Sequence, residues 1–279
     1  MVLQSSGTPI SFSQIISEYK LTANSTFSIG ANSRGLDNRV PQTGAISMSN
    51  FYGKNYYPTS QLQLWLDTRW TQSYSGTGTT WNDMSGKGNN FTLSGTYSYD
   101  STNKKFVIGN YSGGNKCLAT GPASDKIIDP SATNNTDHTV EIICNPTVVT
   151  ANIFIWFMDS GNSFRMINAH IPWDNKNIYY DVRSCCDAIN RINYAGSSPL
   201  GISHWVFRTR TGTQPNRHIF RNAVSKVDSG TNATSTSGSW GGGTYFFNSQ
   251  PSDSGQPWYG DVYMIRIYNR ALSDTEISD

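Results

Sequence analysis

Downstream of residue 57, apolar residues fall in short runs separated by Gly, Asn, Asp, Ser and Pro, the rhythm of strands and turns. The runs predict strands at Leu62 to Leu66, Asn90 to Leu93, Lys105 to Ile108, His138 to Cys144, Ile153 to Met158, Phe164 to Ala169, Asn177 to Val182, His204 to Arg210, Arg217 to Arg221, Thr244 to Asn248 and Asp261 to Tyr268. No helix-period run longer than two turns interrupts them. Strands at this spacing argue for a mainly β chain built as two packed antiparallel sheets. Val262 to Tyr268 is apolar on both faces apart from Arg266, which places it centrally in a sheet. At the C-terminus, Ser273 followed three residues later by Glu276 is a reciprocal capping box. Leu272 and Ile277 stand where a hydrophobic staple closes, so a short terminal helix is predicted.

The first 57 residues follow a different pattern. Ile10-Ser11-Phe12-Ser13-Gln14-Ile15 returns as Ile46-Ser47-Met48-Ser49-Asn50-Phe51, and each copy reads as an extended segment handing over to a helical turn. Ser13 and Ser49 are placed as N-caps, and Gly53 suits the left-handed position that ends the second turn. A unit this small has little core of its own and needs a docking surface or identical neighbours. Asn55 to Ser60 reads as the junction, giving an N-terminal module at 1–57 and a β-sandwich at 58–279.

Composition narrows the partners. Charged residues make up 14% of the chain and the formal net charge is +2, so no basic stripe can neutralise a row of phosphates, and nucleic acid is not an expected partner. Aromatic residues make up 13%, enough large apolar surface for a packed interior. The opening residues show neither a basic segment nor an apolar run, and no stretch has the length to cross a bilayer. The expectation is synthesis and folding in a cytosol, with any extracellular role reached by lysis. Cys117, Cys144, Cys185 and Cys186 include no Cys-x-x-Cys pair; two disulfides or a metal site compete with the reading that Cys144 is a small apolar strand residue.

Two stretches carry a resemblance. Leu64-Trp65-Leu66-Asp67 with Trp81-Asn82-Asp83-Met84-Ser85-Gly86-Lys87-Gly88-Asn89-Asn90-Phe91, and the close from Tyr259 to Ile277 containing Ile267-Tyr268-Asn269-Arg270-Ala271-Leu272-Ser273, resemble the laminin-G-like, or concanavalin A-like, jelly-roll family. His204-Trp205-Val206-Phe207 and Arg217 to Asn222 sit where that family has a further strand and a hairpin ending in Val-Asn-Gly; Ala223 replaces the Gly, which puts a tight turn there in question. The resemblance implies an antiparallel jelly-roll β-sandwich with a small N-terminal attachment module. Gly7 to Ile15 and Val40 to Gly53 resemble a short module at the start of bacteriophage tail and appendage proteins, especially of phages infecting cyanobacteria and other marine bacteria. That second resemblance implies a virion attachment module, with Ile10, Phe12, Ile15, Ile46, Met48 and Phe51 as the attachment residues.

Candidate chemistry is sparse. A glycoside hydrolase on this fold needs two closely spaced carboxylates. Only Glu18, Glu141 and Glu276 exist among glutamates; Glu141 has no acidic neighbour at the required spacing, Glu276 belongs to the cap, and Asp67 and Asp83 are the remaining pair, with Asp83 explained by its turn motif. His138, His170, His204 and His218 never occur at metal-ligand spacing, so no catalytic residue and no metal ligand is assigned. Some laminin-G relatives hold Ca²⁺ through loop aspartates, a role open to Asp159, Asp174 or Asp181, but no acidic cluster accompanies them.

Two tryptophans stand among turn formers. Trp173, with Asp174 and Asn175 beside it, and Trp240, ahead of Gly241-Gly242-Gly243, fit exposed indoles that lie against a sugar ring while Asp and Asn bond its hydroxyls. Both also fit an inward orientation, plugging the ends of the sandwich, or burial at a subunit contact.

The expected protein is therefore a non-enzymatic virion component. Residues 1–57 would anchor it to other virion proteins, and the jelly roll would touch a host-surface glycan or a neighbouring subunit, with no insertion into membrane. A homo-oligomer is expected, a trimer by analogy with phage appendages. A carbohydrate-active enzyme or free bacterial lectin of the same class is the alternative.

Overall fold

Among the described residues the alternation along the chain becomes sixteen strands in two antiparallel sheets. The computed structural model describes residues 58, 60–128, 137–162, 165–183, 190–196, 199–210, 216–229, 239–248 and 255–278. The strands are β1 (Leu62–Asp67), β2 (Thr80–Trp81), β3 (Phe91–Gly95), β4 (Tyr97–Asp100), β5 (Lys105–Ile108), β6 (Cys117–Thr120), β7 (His138–Pro146) and β8 (Ile155–Asp159). They continue as β9 (Arg165–His170), β10 (Asn177–Val182), β11 (Arg191–Ala195), β12 (Ser203–Thr209), β13 (Arg217–Arg221), β14 (Val224–Ser229), β15 (Trp240–Phe246) and β16 (Gly260–Tyr268). All eleven predicted strands are present; β2, β4, β6, β11 and β14 are additional. Gln61–Leu272 is one compact unit containing every strand of the described residues. Outside it, Pro58, Ser60 and Ser273–Ser278 are described. The N-terminal module, with Ile10, Phe12, Ile15, Ile46, Met48 and Phe51, lies outside the described residues, as do Cys185 and Cys186.

The first sheet runs β14-β13-β12-β7-β16-β5-β4, with β1 also paired to β16. The β16 strand is central, as its two apolar faces predict: β7 pairs along its whole length, while β5 takes Gly260–Val262 and β1 takes Met264–Tyr268 on the other edge. The second sheet runs β11-β10-β9-β8-β15-β6-β3-β2. Residues from both sheets meet in one apolar core that includes Val140, Ile142, Trp205 and Ile265 from the first and Phe157, Ile167, Tyr180 and Phe246 from the second. Aromatic contacts knit it together: Phe91 stacks on Phe246 at 4.4 Å, and Trp81 meets Phe106 edge-on at 5.0 Å.

The Trp81 to Phe91 turn is organised by Asp83. Its Oδ1 accepts the backbone N–H groups of Trp65 and Ser85, both at 2.9 Å; its Oδ2 accepts from Ser85 Oγ at 2.7 Å and from the Asn89 N–H at 2.9 Å. Asn89 Nδ2 in turn donates to the Gln63 carbonyl at 2.8 Å. The motif residues thus pin the turn to β1. The capping box also forms. The Ser273 N–H donates to Glu276 Oε2 at 2.9 Å and the Glu276 N–H to Ser273 Oγ at 3.2 Å, opening the short helix α1 (Asp274–Ser278). Among the described residues no helix is long and apolar enough to cross a membrane.

Two sequence expectations need correction. The tight turn after Asn222 exists despite Ala223: Arg221 pairs with Val224, and Asn222 and Ala223 both adopt left-handed φ, at 51° and 63°. Asn222 tolerates that region, and its side chain accepts the His204 N–H at 2.9 Å, so the flanking strands impose the turn on the alanine. The strand around Thr244 begins four residues earlier than expected, at Trp240. Its glycines do not end it. The register with β8 shifts between Trp240 and Thr244, and a side chain on Gly242 would collide with the Asp159 carbonyl, so glycine permits the bulge.

Candidate functional site

Trp173, Asp174 and Asn175 occupy the loop joining β9 to β10, in the second sheet. Asn152 fixes the loop's base, accepting the Ile171 N–H at 3.2 Å and donating from its amide to the Pro172 carbonyl. The loop closes through Trp173 N–H to Asn177 C=O and Lys176 N–H to Trp173 C=O, each 2.8 Å, with Lys176 at φ 69°. Asn175 Oδ1 accepts the Asn177 N–H at 3.0 Å, while the Asn175 and Asn177 amides donate to the Tyr179 hydroxyl at 2.7 and 3.2 Å. Asn175 is therefore chiefly a loop brace. Trp173 is half-buried, its indole edge-on to the His170 ring at 4.4 Å, and Asp174, Asn175 and Lys176 are exposed.

Across five strands of the second sheet runs a cross-strand row whose middle members, Trp156, Asn168 and Asp181, are buried. Tyr245 of β15 lies opposite Trp156 of β8, then come Asn168 of β9, Asp181 of β10 and Arg191 of β11. Arg191 grips Asp181 with Nε at 2.6 Å and Nη2 at 2.7 Å, and its guanidinium lies over the Tyr179 ring at 4.4 Å. Arg165 lies over Trp156 at 4.3 Å. The Asn168 amide nitrogen faces Asp181 at 3.3 Å and His170 Nε2 at 2.9 Å. A carboxylate on that side fixes the amide's orientation, so Nε2 is the acceptor and the imidazole proton sits on Nδ1, donated to the Asn152 carbonyl. Burial drives the His170 pKa down to about 3, with the charges of Arg191 and Arg165 acting in the same direction, so the 3.8 Å approach to Asp181 joins a neutral imidazole to the carboxyl. Burial pushes the Asp181 carboxyl up, and Arg191 draws it only part of the way back.

This arrangement is a braced surface. Trp173 and Tyr179 are held at their edges by His170 and by amides, so their partly open rings are positioned before any ligand arrives, with the Asp174 carboxylate and Lys176 ammonium beside them. Such a surface can stack an apolar ring face and bond hydroxyls. Sequence reasoning missed Tyr179 and Arg191, which join the loop only through the β9–β10–β11 register.

Trp240 does not belong to the site. It is 8% exposed and packs in the main core, so its indole is unavailable for stacking; the inward alternative holds for this tryptophan.

The carboxylates weighed for catalysis have structural partners. Asp67 is buried and receives Arg69 Nε at 2.8 Å and Nη2 at 2.6 Å. Glu141 lies across from Arg266, with Nε at 3.0 Å and His204 Nε2 at 3.5 Å. Burial pushes its carboxyl up, but the charges of Arg266 and His204 more than offset this and hold it below the usual range. Among the described residues no three His, Cys, Asp or Glu side chains group as a cation site. Cys144 is a buried β7 residue, as its apolar setting suggested, and it and Cys117 are free thiols.

Residues 120–278 match the family model described as the concanavalin A-like lectin/glucanases superfamily, more than half of the chain. No curated protein matches by sequence. Among solved structures, the chain is similar to botulinum neurotoxin type C, described there as entering cells through interaction with two ganglioside molecules (TM-score 0.58, 14% identity, 78% of this chain and 50% of that one). It is similar also to the binding domain of botulinum neurotoxin DC in complex with rat synaptotagmin II (0.57, 12%, 78% and 50%). A third is Trypanosoma rangeli sialidase in complex with sialic acid (0.54, 12%, 86% and 36%). The chain spans half or less of each, and at these identities the likeness is one of fold. With two antiparallel sheets around a single core and the family model matched from residue 120 to residue 278, the chain belongs to the concanavalin A-like lectin/glucanases superfamily.

Proposed function

We propose that the chain is a lectin-like adhesion module of a bacteriophage particle: residues 1–57 attach it to other virion proteins, and the sandwich holds a host-surface glycan without cleaving it. The observation that carries the glycan reading is Trp173, a half-open indole braced by His170 and flanked by the exposed Asp174. The family and the ganglioside- and sialic-acid-binding fold neighbours support it. The engaged state of Asp67, Asp83 and Glu141 supports binding over turnover. Virion attachment rests on the repeated Ile-Ser-Phe-Ser-Gln-Ile and Ile-Ser-Met-Ser-Asn-Phe segments and their likeness to phage appendage modules. Weak single sites would be multiplied by many copies on one particle.

The test is a glycan array and host-cell binding assay with Trp173→Ala and Asp174→Ala chains. A loss of about ten-fold in affinity for a glycan held at the Trp173 loop is expected from Trp173→Ala. Unchanged binding of every glycan by both variants would overturn the Trp173 site, and release of sugar fragments that stops when one carboxylate is replaced would overturn the non-cleaving lectin reading. Antibody labelling of intact particles tests attachment: the full chain should decorate them, and a chain lacking 1–57 should not.

A further inference from the structure

The geometry points to a second ligand site, separate from Trp173: a cleft of about 520 Å³ formed by the β4–β5 hairpin, the 109–115 loop and the start of β16, which takes an uncharged sugar. The inference rests on the sugar-binding reading above and adds a place and a ligand class to it.

Size and lining select the ligand. Ligand pockets commonly span about 300–1,000 Å³, so this cleft holds one or two sugar rings. Three tyrosines, Tyr97, Tyr111 and Tyr259, line it together with Ser98, Asn110 and Thr147; no Asp, Glu, Lys, Arg or His lines it. Aromatic surfaces interleaved with hydroxyl and amide groups match a ring that has a C–H face and a hydroxyl edge. A carboxylated sugar would shed water from its charge in this cleft and gain no cation in exchange. The adjoining charges, Lys105 of β5 and Asp261 of β16, are paired with each other at 2.9 Å.

The cleft is also built in advance. Asn110 and Asn115 exchange backbone bonds of 2.9 and 3.0 Å, and the Gly114 N–H donates to the Tyr111 carbonyl at 3.0 Å, so the loop bearing Tyr111 is a closed hairpin. Tyr111 meets Tyr259 edge-on at 5.4 Å yet stays 56% exposed, an aromatic left open at the mouth. Tyr259 lies against Gly109, at φ 67°, where a Cβ would come within 2.7 Å of its ring. The Tyr97 hydroxyl is given to the Gly78 carbonyl at 2.8 Å and its ring meets Phe106 of the core edge-on at 5.9 Å, so Tyr97 is a fixed part of the wall. Little side-chain order remains to be imposed on binding. The sequence signal was available: Tyr111 stands among Asn110, Ser112, Gly113 and Gly114, the same company of turn formers that singled out Trp173.

The experiment places full-length wild type, Tyr111→Ala, Tyr111→Phe and Trp173→Ala on an array carrying neutral oligosaccharides beside the same backbones capped with sialic acid. Solution titration of the best neutral member follows. Tyr111→Ala is expected to weaken that neutral ligand about ten-fold or more, with Tyr111→Phe and Trp173→Ala retaining affinity within about two-fold. Matching thermal melts confirm that the exposed position leaves the fold intact. The proposal is overturned if Tyr111→Ala leaves every neutral ligand unchanged, or if its only losses are among sialylated ligands. Binding that disappears with Trp173→Ala alone overturns the cleft and leaves the lectin reading standing, whereas a wild-type chain that binds no glycan overturns both.

Discussion

At Ala223 one methyl group opposes the backbone conformation its hairpin demands. The two-residue turn between β13 and β14 needs left-handed φ at both positions, and an L-residue with a Cβ pays roughly 1–2 kcal/mol there that glycine does not. Replacing Ala223 by Gly also loosens the unfolded chain, which costs part of that gain. The net expectation is a stabilisation of about 0.5–1 kcal/mol, read as a higher urea midpoint at unchanged slope. A lower midpoint would show that the flanking strands carry no strain. The same scale explains which site residues could be read from the sequence. Asp83 was legible because Asp, Ser, Gly and Asn at its spacing imply a carboxylate collecting nearby N–H groups, and Oδ1 and Oδ2 do so. Trp173 and Trp240 were indistinguishable by composition, since both stand among turn formers. What separates them is tertiary: Asn152 and Asn175 hold the loop of one outward, whereas glycines let the strand of the other bulge and turn its indole into the core.

The β9–β10 hairpin shows how an element sets the protonation of a residue within it. His170 is 2% exposed, spends Nδ1 on Asn152 and Nε2 on Asn168, and has a folded pKa of about 3. Its ordinary value lies near 6.5, so below that pH the unfolded chain takes up a proton that the folded chain refuses. Stability from this residue is therefore complete above about pH 6.5 and declines as pH falls toward 3, with a slope approaching about 1.4 kcal/mol per pH unit. Urea unfolding of wild type and His170→Gln at about pH 7 and about pH 4.5 isolates it: the acid-induced loss should be about 2–3 kcal/mol smaller in the variant. Equal losses would show that His170 titrates normally in the fold. At this scale, the strands read from sequence were those carrying large apolar residues into the core. The additional ones were too short or too polar to show a run of it: β2 has two residues around the buried Trp81, β4 is Tyr-Ser-Tyr-Asp, and β14 is a polar edge strand. Their hydrogen-bond partners define them, and partners are not visible along the chain.

For the whole sandwich, the question is whether the two sheets open together, and two buried thiols can answer it. Cys117 lies on β6 of the second sheet and Cys144 on β7 of the first, and both belong to the same apolar core. Burial pushes the Cys117 thiol up to about 12 and raises the Cys144 thiol as well, so neither supplies thiolate at neutral pH, and a neutral alkylating reagent reaches them only when the core opens. Because Phe91 and Trp81 of one sheet interlock with residues that pack against the other, separating the sheets exposes the entire core at once and leaves no stable half. In a chain with Cys185 and Cys186 changed to Ser, both remaining thiols should then label at one shared rate, far slower than in urea-unfolded protein, and mild denaturant should accelerate both in parallel. Rapid labelling of Cys117 while Cys144 stays protected would mean that the short β2-β3-β6 end of the second sheet unzips by itself, and the single-core description would give way to a sandwich with a separable edge.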